Sequence, residues 1–551
     1  MAPIVVLANA RHHHDARHEQ DEHSVPDGRD GGNKHSGIAS VLGTCAATET
    51  TEWPSLRFHF TLKRSSMKAY GQSEFDMYAN PIVPDNQDKV LYDVFATFTE
   101  GNALSNYTLI DGVAHSSSTP YSGGPSDNSR ATSTVSCLDL EAGKLPAINA
   151  IVAAINGATA ASGSSSKAIE CSNGSLFKVT VNGIDFALCA SGPSGFTMQG
   201  TDMDITVEFL ESAIDIQTPN TTGKGDCMKV ASVSSVTSIG KSVLTGQPLS
   251  RHERSLKAAF EFSFRDKSTC TCKSTPRPCI FIHGLGVKQE VAGNQDWFSY
   301  WGESIKGHTP CCSSVKFAHL NTVNNTWTSK TQQRKVCERA LAVSNSSTKT
   351  AIKDTIVVTH SMGNLMFAGA LATGKCSLDS SSTWVGMAGP LVGSMASDFV
   401  QESCAGETNV VWEDIGDITG RCPPNTGLKS LAYQHGSYSS KRLDAAYAAA
   451  QKVYREQTYA LMCGRAYSGL TSKYQAKFWL LGHTIPHKSK KNDGMMEFQS
   501  CAPGISASKF STNYRDRFYV TRLNHYDMQF LAGDAMLDEA KMPVKWFECL
   551  L

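Results

Sequence analysis

The sequence predicts an α/β fold in its C-terminal half, with a mostly parallel sheet covered by helices on both faces, preceded by a separate antiparallel β-rich domain with one helix. After about residue 275, short apolar runs alternate with helix-like segments, as parallel strands buried on both faces require. Before that point, β-branched and aromatic residues alternate between Gly, Asn and Ser turns, a pattern typical of antiparallel strands. A chain of 551 residues also exceeds what one hydrophobic core usually serves.

Composition divides the chain into four parts. Residues 1–50, rich in Gly, His and Asp, are predicted to be a disordered leader. Residues 51–217 are the β-rich domain, in which Leu145–Asn156 has the spacing of a helix. Residues 218–274, rich in Ser, Thr and Gly at their start, are predicted to be a linker. Residues 275–551 are the α/β domain.

The C-terminal half alternates strands and helices as βαβ crossovers require. The predicted strands are Cys279–His283, Val315–His319, Thr355–Thr359, Thr383–Ala388 and, later, Phe518–Thr521. The predicted helices are Asp296–Ile305, Gln332–Val343 and Asn364–Ala372. A further helical stretch, Leu443–Leu470, would suit a lid over a site or an ordinary packed helix.

The seventeen cysteines are interpreted as disulfide partners. The cluster Cys270, Cys272 and Cys279 has no matching Cys/His pair at short range, whereas structural zinc needs four ligands. Met1–Ala10 has a short apolar core and an A-x-A-like end, a weak signal-peptide pattern. Glycosylation sequons fit the same oxidising compartment and lie at Asn106, Asn173, Asn220, Asn324 and Asn345. These features predict a secreted, glycosylated protein.

Charge argues against a nucleic-acid partner, and hydropathy argues against a transmembrane segment. Basic and acidic residues number 51 each, so the basic excess that nucleic-acid phosphates need is missing. No run of about eighteen apolar residues occurs, and no transmembrane segment is expected. Contact with a lipid interface would therefore be peripheral.

The segment Thr355–Gly363, TIVVTHSMG, carries the strongest chemical motif. An apolar strand runs into Ser361, and a helix-forming stretch follows, as a nucleophile elbow requires. Gly363 supplies one of the small residues that let strand and helix approach, but Thr359 departs from the G-x-S-x-G pattern. His360 is expected to shape the turn. The alternative is that the serine only caps a helix.

The oxyanion site is predicted from His283–Gly286, HGLG, which follows the first strand. Glycines at a strand end let a backbone N–H face a developing negative charge. The expected donors are the backbone N–H groups of Leu285 and Met362.

The acid and the base are expected after the serine, in that order. Asp493 lies in a polar turn and His525 follows the strand Phe518–Thr521. In this hypothesis His525 takes the Ser361 proton as general base, and Asp493 fixes its tautomer. Position alone leaves alternatives, which are Asp414 and Asp417 for the acid and His483 and His487 for the base.

Taken in order, FIHGLG, VVTHSMGN, GMAGPLVGSMASDF, NDGMM and LNHYD resemble the blocks of the triacylglycerol lipases of the α/β-hydrolase superfamily, especially the bacterial secreted ones. The resemblance covers about residues 278–400 and 490–530. It implies an α/β-hydrolase fold and a triad of Ser361, Asp493 and His525.

The same resemblance bears on metal and disulfide. Some of those lipases hold calcium with the aspartate two residues after the catalytic histidine, which here is Asp527, but the second aspartate is missing from its place. No other cofactor is expected. A cysteine shortly after the acid implies that Cys501 pairs with Cys463.

Three functions are consistent with these observations. The first is a secreted lipase or carboxylesterase that works through an acyl-enzyme at Ser361. The second is a lipid-anchor deacylase or thioesterase, which shares the same motifs. The third is an inactive lipid-binding or adhesion protein, which would need none of the serine, glycines, aspartate and histidine that are present. The β-rich domain is either a surface-binding module or a structural appendage.

Overall fold

The computed structural model describes residues 53–85, 89–101, 103–120, 134–138, 143–160, 171, 174–219, 227–248, 268–406, 422–472 and 474–551. Residues 51–551 make up one compact unit. The predicted leader, the sequons Asn173 and Asn220, and the alternative acids Asp414 and Asp417 lie outside the described residues.

The N-terminal half forms an antiparallel sheet of twelve strands within the described residues, as predicted. The strands are β1 (Ser55–Leu62), β2 (Glu74–Ile82), β3 (Lys89–Glu100), β4 (Ala103–Ile110), β5 (Val113–Pro120), β6 (Thr134–Cys137), β7 (Thr159–Ala160), β8 (Ser175–Val181), β9 (Ile184–Ala190), β10 (Phe196–Gly200), β11 (Met203–Leu210) and β12 (Ser234–Ser235). They pair in the order β6-β5-β4-β3-β2-β1-β11-β10-β9-β8-β7, and β12 pairs with β3. Leu56, Phe58 and Phe60 of β1 are fully buried. Burial at every second residue is what a strand with one buried face requires.

In the described part of the N-terminal half, two helices pack on this sheet. Helix α1 (Ile148–Asn156) is the one predicted from helical spacing, and α2 (Ser238–Thr245) lies in the range predicted as a linker. Thr237 caps α2 by accepting a hydrogen bond from the Gly240 N–H at 3.0 Å, and its own N–H donates to Asn156 Oδ1 at 3.0 Å. Residues 227–248 are therefore tied to α1, and Val243 and Leu244 of α2 are buried.

The C-terminal half contains a parallel sheet in the order β14-β13-β16-β18-β19-β20. Its strands are β13 (Arg277–Ile282), β14 (Cys312–Phe317), β16 (Ile356–His360), β18 (Thr383–Met387), β19 (Thr458–Gly464) and β20 (Phe518–Thr521), and a separate pair is β15 (Ala351–Ile352) with β17 (Ser377–Leu378). The prediction of a parallel sheet in the C-terminal half is confirmed. The helix predicted over Leu443–Leu470 is too long, because the helix ends at Gln457 and the buried strand β19 follows it.

Eight helices accompany this sheet in the described residues. They are α3 (Lys330–Leu341), α4 (Met362–Ala372), α5 (Met395–Cys404), α6 (Thr426–Lys429), α7 (Lys441–Gln457), α8 (Gln475–Thr484), α9 (Phe498–Cys501) and α10 (Pro543–Cys549). Helices α3, α4 and α7 cover one face, where they enclose Ile280, Ile282 and Val357. Tyr447 and Tyr454 of α7 are fully buried, so α7 is a packed helix of this layer.

On the opposite face of the parallel sheet, where helices are also predicted, one helix and the antiparallel half together supply the cover. Phe281 and Val358 point into a core that includes Trp546 of α10 and continues into the core of the antiparallel sheet. The predicted helix Asp296–Ile305 is wrong, since it contains only a 3-10 turn at Glu303–Ile305. Its Trp301 packs inward instead, with its ring 5.1 Å from the Phe281 ring.

Buried ion pairs join the two sheets. The Arg64 side chain is completely buried, with Nη2 2.6 Å from Glu548 Oε2 and 3.8 Å from Asp534 Oδ2. His308 Nδ1 lies 2.6 Å from the same Glu548 oxygen, and Lys545 pairs with Asp202. Because a buried charge without its partner is strongly destabilising, these pairs favour the observed docking of the C-terminal segment on the antiparallel half.

Disulfides account for sixteen cysteines in the described residues. The pairs are Cys137–Cys227, Cys171–Cys189, Cys270–Cys549, Cys272–Cys311, Cys279–Cys312, Cys337–Cys376, Cys404–Cys422 and Cys463–Cys501. The disulfide prediction is confirmed, including the Cys463–Cys501 pair. The cluster near residue 270 thus has disulfide partners. Nowhere in the described ranges does a helix have both the length and the apolarity to cross a membrane.

The ion pairs at the junction lead to a stability prediction. Arg64→Met removes the buried guanidinium that pairs with Glu548 and Asp534, and we expect the free energy of unfolding to fall by about 3–5 kcal/mol. The matched control is Arg57→Met, since Arg57 is partly exposed where it pairs with Asp76 and Glu208, and its loss should be below about 1 kcal/mol. Urea unfolding followed by tryptophan fluorescence measures both. Equal losses would contradict a special role for the buried pairs.

Candidate active site

Ser361 lies in a sharp turn between β16 and α4, as the elbow motif predicts. Its backbone has φ 53° and ψ −130°, and the residue is buried. Its N–H donates to the Met387 carbonyl of the neighbouring strand at 3.0 Å. A non-glycine residue with positive φ is strained, and such strain persists only where the surroundings hold it.

Two glycines make this turn sterically feasible. A Cβ on Gly363 would lie 2.5 Å from the Ile282 carbonyl oxygen, and a Cβ on Gly284 would lie 2.6 Å from the Ser361 Cβ. Both distances are well inside van der Waals contact. The motifs HGLG and HSMG therefore meet in space, and each requires a glycine where it approaches the other.

Thr359 occupies the position where the elbow motif usually has glycine, and its hydroxyl forms two buried hydrogen bonds. Its Oγ1 donates to Asn364 Oδ1 at 2.6 Å and accepts from Trp384 Nε1 at 2.8 Å. Asn364 Nδ2 in turn donates to the carbonyl oxygens of Ser361 at 3.1 Å and Met387 at 2.9 Å. The threonine thus belongs to a buried network that holds the first turn of α4 against β18.

Asp493 and His525, the predicted acid and base, lie side by side. His525 Nδ1 is 2.9 Å from Asp493 Oδ2, and the His525 N–H donates to the Asp493 carbonyl at 3.0 Å. The other carboxylate oxygen accepts the N–H groups of Met495 and Met496, both at 2.9 Å. A carboxylate only accepts hydrogen bonds, so the proton of a neutral His525 is on Nδ1 and its Nε2 has a free lone pair.

The alternative histidines have other partners. His483 on α8 contacts the Trp479 carbonyl and the Tyr467 hydroxyl. His487 is buried and pairs with Glu497 at 3.1 Å. Neither lines the pocket that Ser361 and His525 share.

That shared pocket is mostly apolar. Besides Ser361 and His525, its lining consists of Leu285, Tyr300, Ser394, Ala396, Leu428, Leu431, Met495, Met496, Tyr526 and Gln529. Leu285, a predicted oxyanion donor, is among them. Met362 is the first residue of α4, and an N–H in the first helical turn has no acceptor within the helix. Their donor roles stay a prediction.

Tyr300 is a residue that sequence reasoning missed. Its hydroxyl accepts the Gly284 N–H at 3.0 Å and lies 2.7 Å from His360 Nδ1. His360 Nε2 is 3.1 Å from the carbonyl oxygen of His525. Burial and the neighbouring His525 keep the pKa of His360 well below its usual value, so this ring is neutral. No sequence motif marks Tyr300, whose segment has the composition of a helix.

Asp527 is a loop anchor in this structure. Its Oδ2 accepts the N–H groups of Leu470 at 2.8 Å and Asn524 at 3.2 Å. Burial raises its pKa to about 7. Across the described ranges, no three His, Cys, Asp or Glu side chains are grouped to hold a metal.

Helix α8 packs directly on the loops that contain Asp493 and His525. The Phe478 ring lies 4.8 Å from the ring of Tyr526, and a Cβ on Gly494 would lie 2.8 Å from Phe478. On its outer side α8 exposes Trp479 and Leu480, which are 44% and 38% accessible. The pocket of Ser361 is thus bordered by a helix with exposed apolar side chains.

No protein-family profile matches the chain, and no curated protein matches it in sequence. Among solved structures, the crystal structure of Staphylococcus hyicus lipase matches with 14% identity and a TM-score of 0.28, over 50% of this chain and 95% of that one.

The Thr359 network leads to a test by paired substitutions. Thr359→Val keeps the shape but leaves Asn364 Oδ1 and Trp384 Nε1 without their partner, so we expect a loss of about 1–3 kcal/mol in the free energy of unfolding. Thr359→Ser keeps the hydroxyl and should lose less than half of that. Chemical denaturation of both variants measures the difference. A valine variant as stable as the serine variant would contradict the role of the hydroxyl.

The raised pKa of Asp527 predicts a pH dependence of stability. A carboxyl whose pKa is higher in the folded state binds its proton more tightly there, so its contribution is present at low pH and is lost as pH rises from about 4 to about 7. Asp527→Asn mimics the protonated form and removes this titration. We expect the melting temperature of the wild type, relative to this variant, to decline across that range in thermal scans. Parallel curves would refute the assignment.

Proposed function

We propose that this chain is a serine hydrolase of the α/β-hydrolase kind that cleaves carboxylic esters through an acyl-enzyme at Ser361. The observation that carries the proposal is the hydrogen-bonded pair of Asp493 and His525, which borders the same pocket as the strained Ser361. Three separated segments supply these residues. Strained backbone at Ser361 costs free energy, and such strain is typical of functional sites. A joint role of Ser361 with the oriented imidazole that borders the same pocket accounts for this cost.

In the proposed mechanism, His525 Nε2 takes the proton of Ser361 Oγ as that oxygen attacks the ester carbonyl carbon. The negative oxygen of the tetrahedral intermediate accepts hydrogen bonds from the backbone N–H groups of Leu285 and Met362. The imidazolium, stabilised by Asp493, returns its proton to the departing alcohol. Water then repeats the sequence on the acyl-enzyme and releases the acid.

A lipid is the substrate class that the surroundings favour. Leucine and methionine supply five of the twelve residues that line the pocket, which suits an acyl chain. At its border, α8 exposes Trp479 and Leu480, and the same helix contains Lys477. Tryptophan beside lysine is typical of surfaces that lie at a lipid interface. We extend the proposal to a secreted enzyme, since the disulfides fit an oxidising compartment.

The two alternatives differ in what they require of Ser361. A lipid-anchor deacylase or thioesterase would use the same residues, and only its preference among oxygen esters and thioesters would distinguish it. An inactive binding or adhesion protein would not react at Ser361 at all.

The first test is labelling with a fluorophosphonate probe, which reacts with activated serines. We expect wild-type protein to be labelled, Ser361→Ala to be unlabelled, and His525→Ala and Asp493→Asn to react at least about 100-fold more slowly. Ser403→Ala, a buried serine on α5 that contacts the Phe399 carbonyl, is the matched control and should react normally. An unlabelled wild type, or a labelled Ser361→Ala variant, would defeat the catalytic proposal.

The second test asks whether α8 contacts lipid. The double variant Trp479→Ala/Leu480→Ala should lose about tenfold in the hydrolysis of emulsified long-chain esters, because less apolar surface enters the interface. Its rate on a soluble short-chain ester should be unchanged. Trp297→Ala is the control, since Trp297 is 50% accessible but lies away from this pocket's lining. If the soluble ester is affected equally, α8 acts on the site itself and the interface role is wrong.

A further inference from the structure

We propose that Tyr300 and His360 are positioning residues, which fix the place of the His525 imidazole through a directed chain of hydrogen bonds. This inference rests on the proposed function and adds two residues to it. The chain runs from the Gly284 N–H through the Tyr300 hydroxyl and the His360 ring to the His525 carbonyl, with distances of 3.0, 2.7 and 3.1 Å.

The direction of each hydrogen bond follows from the chemistry of the groups. The His525 carbonyl only accepts, so His360 Nε2 has a proton and donates it. The ring is fully buried, and its low pKa keeps it neutral, so Nδ1 has a lone pair. The Tyr300 hydroxyl therefore donates to Nδ1 and accepts the Gly284 N–H. Only one tautomer of His360 satisfies every partner.

This chain holds His525 on a side that Asp493 does not reach. Asp493 contacts the His525 ring at Nδ1 and its backbone at the N–H. His360 contacts the remaining backbone group, the carbonyl, and its ring centroid lies 4.7 Å from that of His525. With all three groups occupied, the residue cannot rotate its peptide planes without breaking a buried hydrogen bond.

The other end of the chain lies in the predicted oxyanion loop. Gly284 directly precedes Leu285, and the position a Gly284 Cβ would take is within 2.7 Å of the Tyr300 hydroxyl. Tyr300 thus links the strand end that presents the donor with the loop that presents the base. Because misplacement by about 1 Å can reduce a rate about 100-fold, a direct link between these two groups has a catalytic consequence.

Packing supports the assignment. Trp301, next to Tyr300, contacts the rings of His360 and Phe530 at 6.0 and 6.2 Å between centroids. The N–H of Gly302 donates to the Gln529 carbonyl at 2.9 Å. The segment with Tyr300 is therefore held against the end of the His525 loop by apolar contact as well as by hydrogen bonds.

The test compares three variants and one control variant by steady-state kinetics on a soluble ester. Tyr300→Phe removes only the hydroxyl and should lower kcat about tenfold with KM changed less than twofold, since an oriented base acts in the chemical step. His360→Leu removes both hydrogen bonds and should lower kcat about 100-fold. His360→Gln keeps a donor and an acceptor and should recover most of that loss. Phe298→Leu, an apolar change in the same aromatic cluster, should leave kcat within twofold.

A second measurement is independent of turnover. In the Ser361→Ala variant, ¹⁵N NMR of the histidine rings should show His360 as the neutral tautomer with its proton on Nε2 at pH 7. A cationic ring or a proton on Nδ1 would overturn the proposal even if a variant fails to fold. So would Tyr300→Phe with wild-type kcat in protein that the fluorophosphonate labels. If wild-type protein is not labelled at all, the proposed function fails instead, and the NMR result still decides the hydrogen-bond chain.

Discussion

The conformation of Ser361 is the constraint on which the site depends. The residue lies at the carboxyl end of β16, and its positive φ by itself costs free energy. The turn persists because glycine occupies positions 284 and 363, where a Cβ would collide with the neighbouring segment. The side chain of Asn364 also donates to the carbonyl groups of Ser361 and Met387. Thr359 then keeps Asn364 in place. Thr359, which replaces the usual glycine of the motif, thus helps to hold the turn at Ser361.

The antiparallel half is connected to the segment that follows His525. Ser66 donates to Asp534 at 2.6 Å, Lys144 to the Ala532 carbonyl at 2.6 Å, and Arg64 pairs with Glu548. Because these contacts are formed by groups that would be costly to bury alone, the β-rich half and the C-terminal residues stabilise each other. A structural contribution to the α/β half is therefore built into the junction, whatever else the β-rich half does.

Local sequence indicated much of the candidate site. The strand and helix on either side of HSMG and the polar turn of NDG predicted where Ser361 and Asp493 would lie, and the structure places His525 beside Asp493. Tyr300 was not predictable, because a tyrosine in an aromatic run has no signature until the chain brings it to His360. The same is true of Thr359, whose hydroxyl has partners from α4 and β18.

The sequence by itself determined the alternation of β-rich and α/β halves, the buried parallel strands and the disulfide-bonded character of the chain. These depend on local periodicity, turn residues and composition, which a single segment reveals. The tertiary structure alone decided that α10 and the antiparallel sheet's core cover the second face of the parallel sheet, that Thr458–Gly464 is a strand, and that Asp527 anchors a loop. Each depends on groups far apart in the chain, and their burial energy appears only once the chain has brought them together.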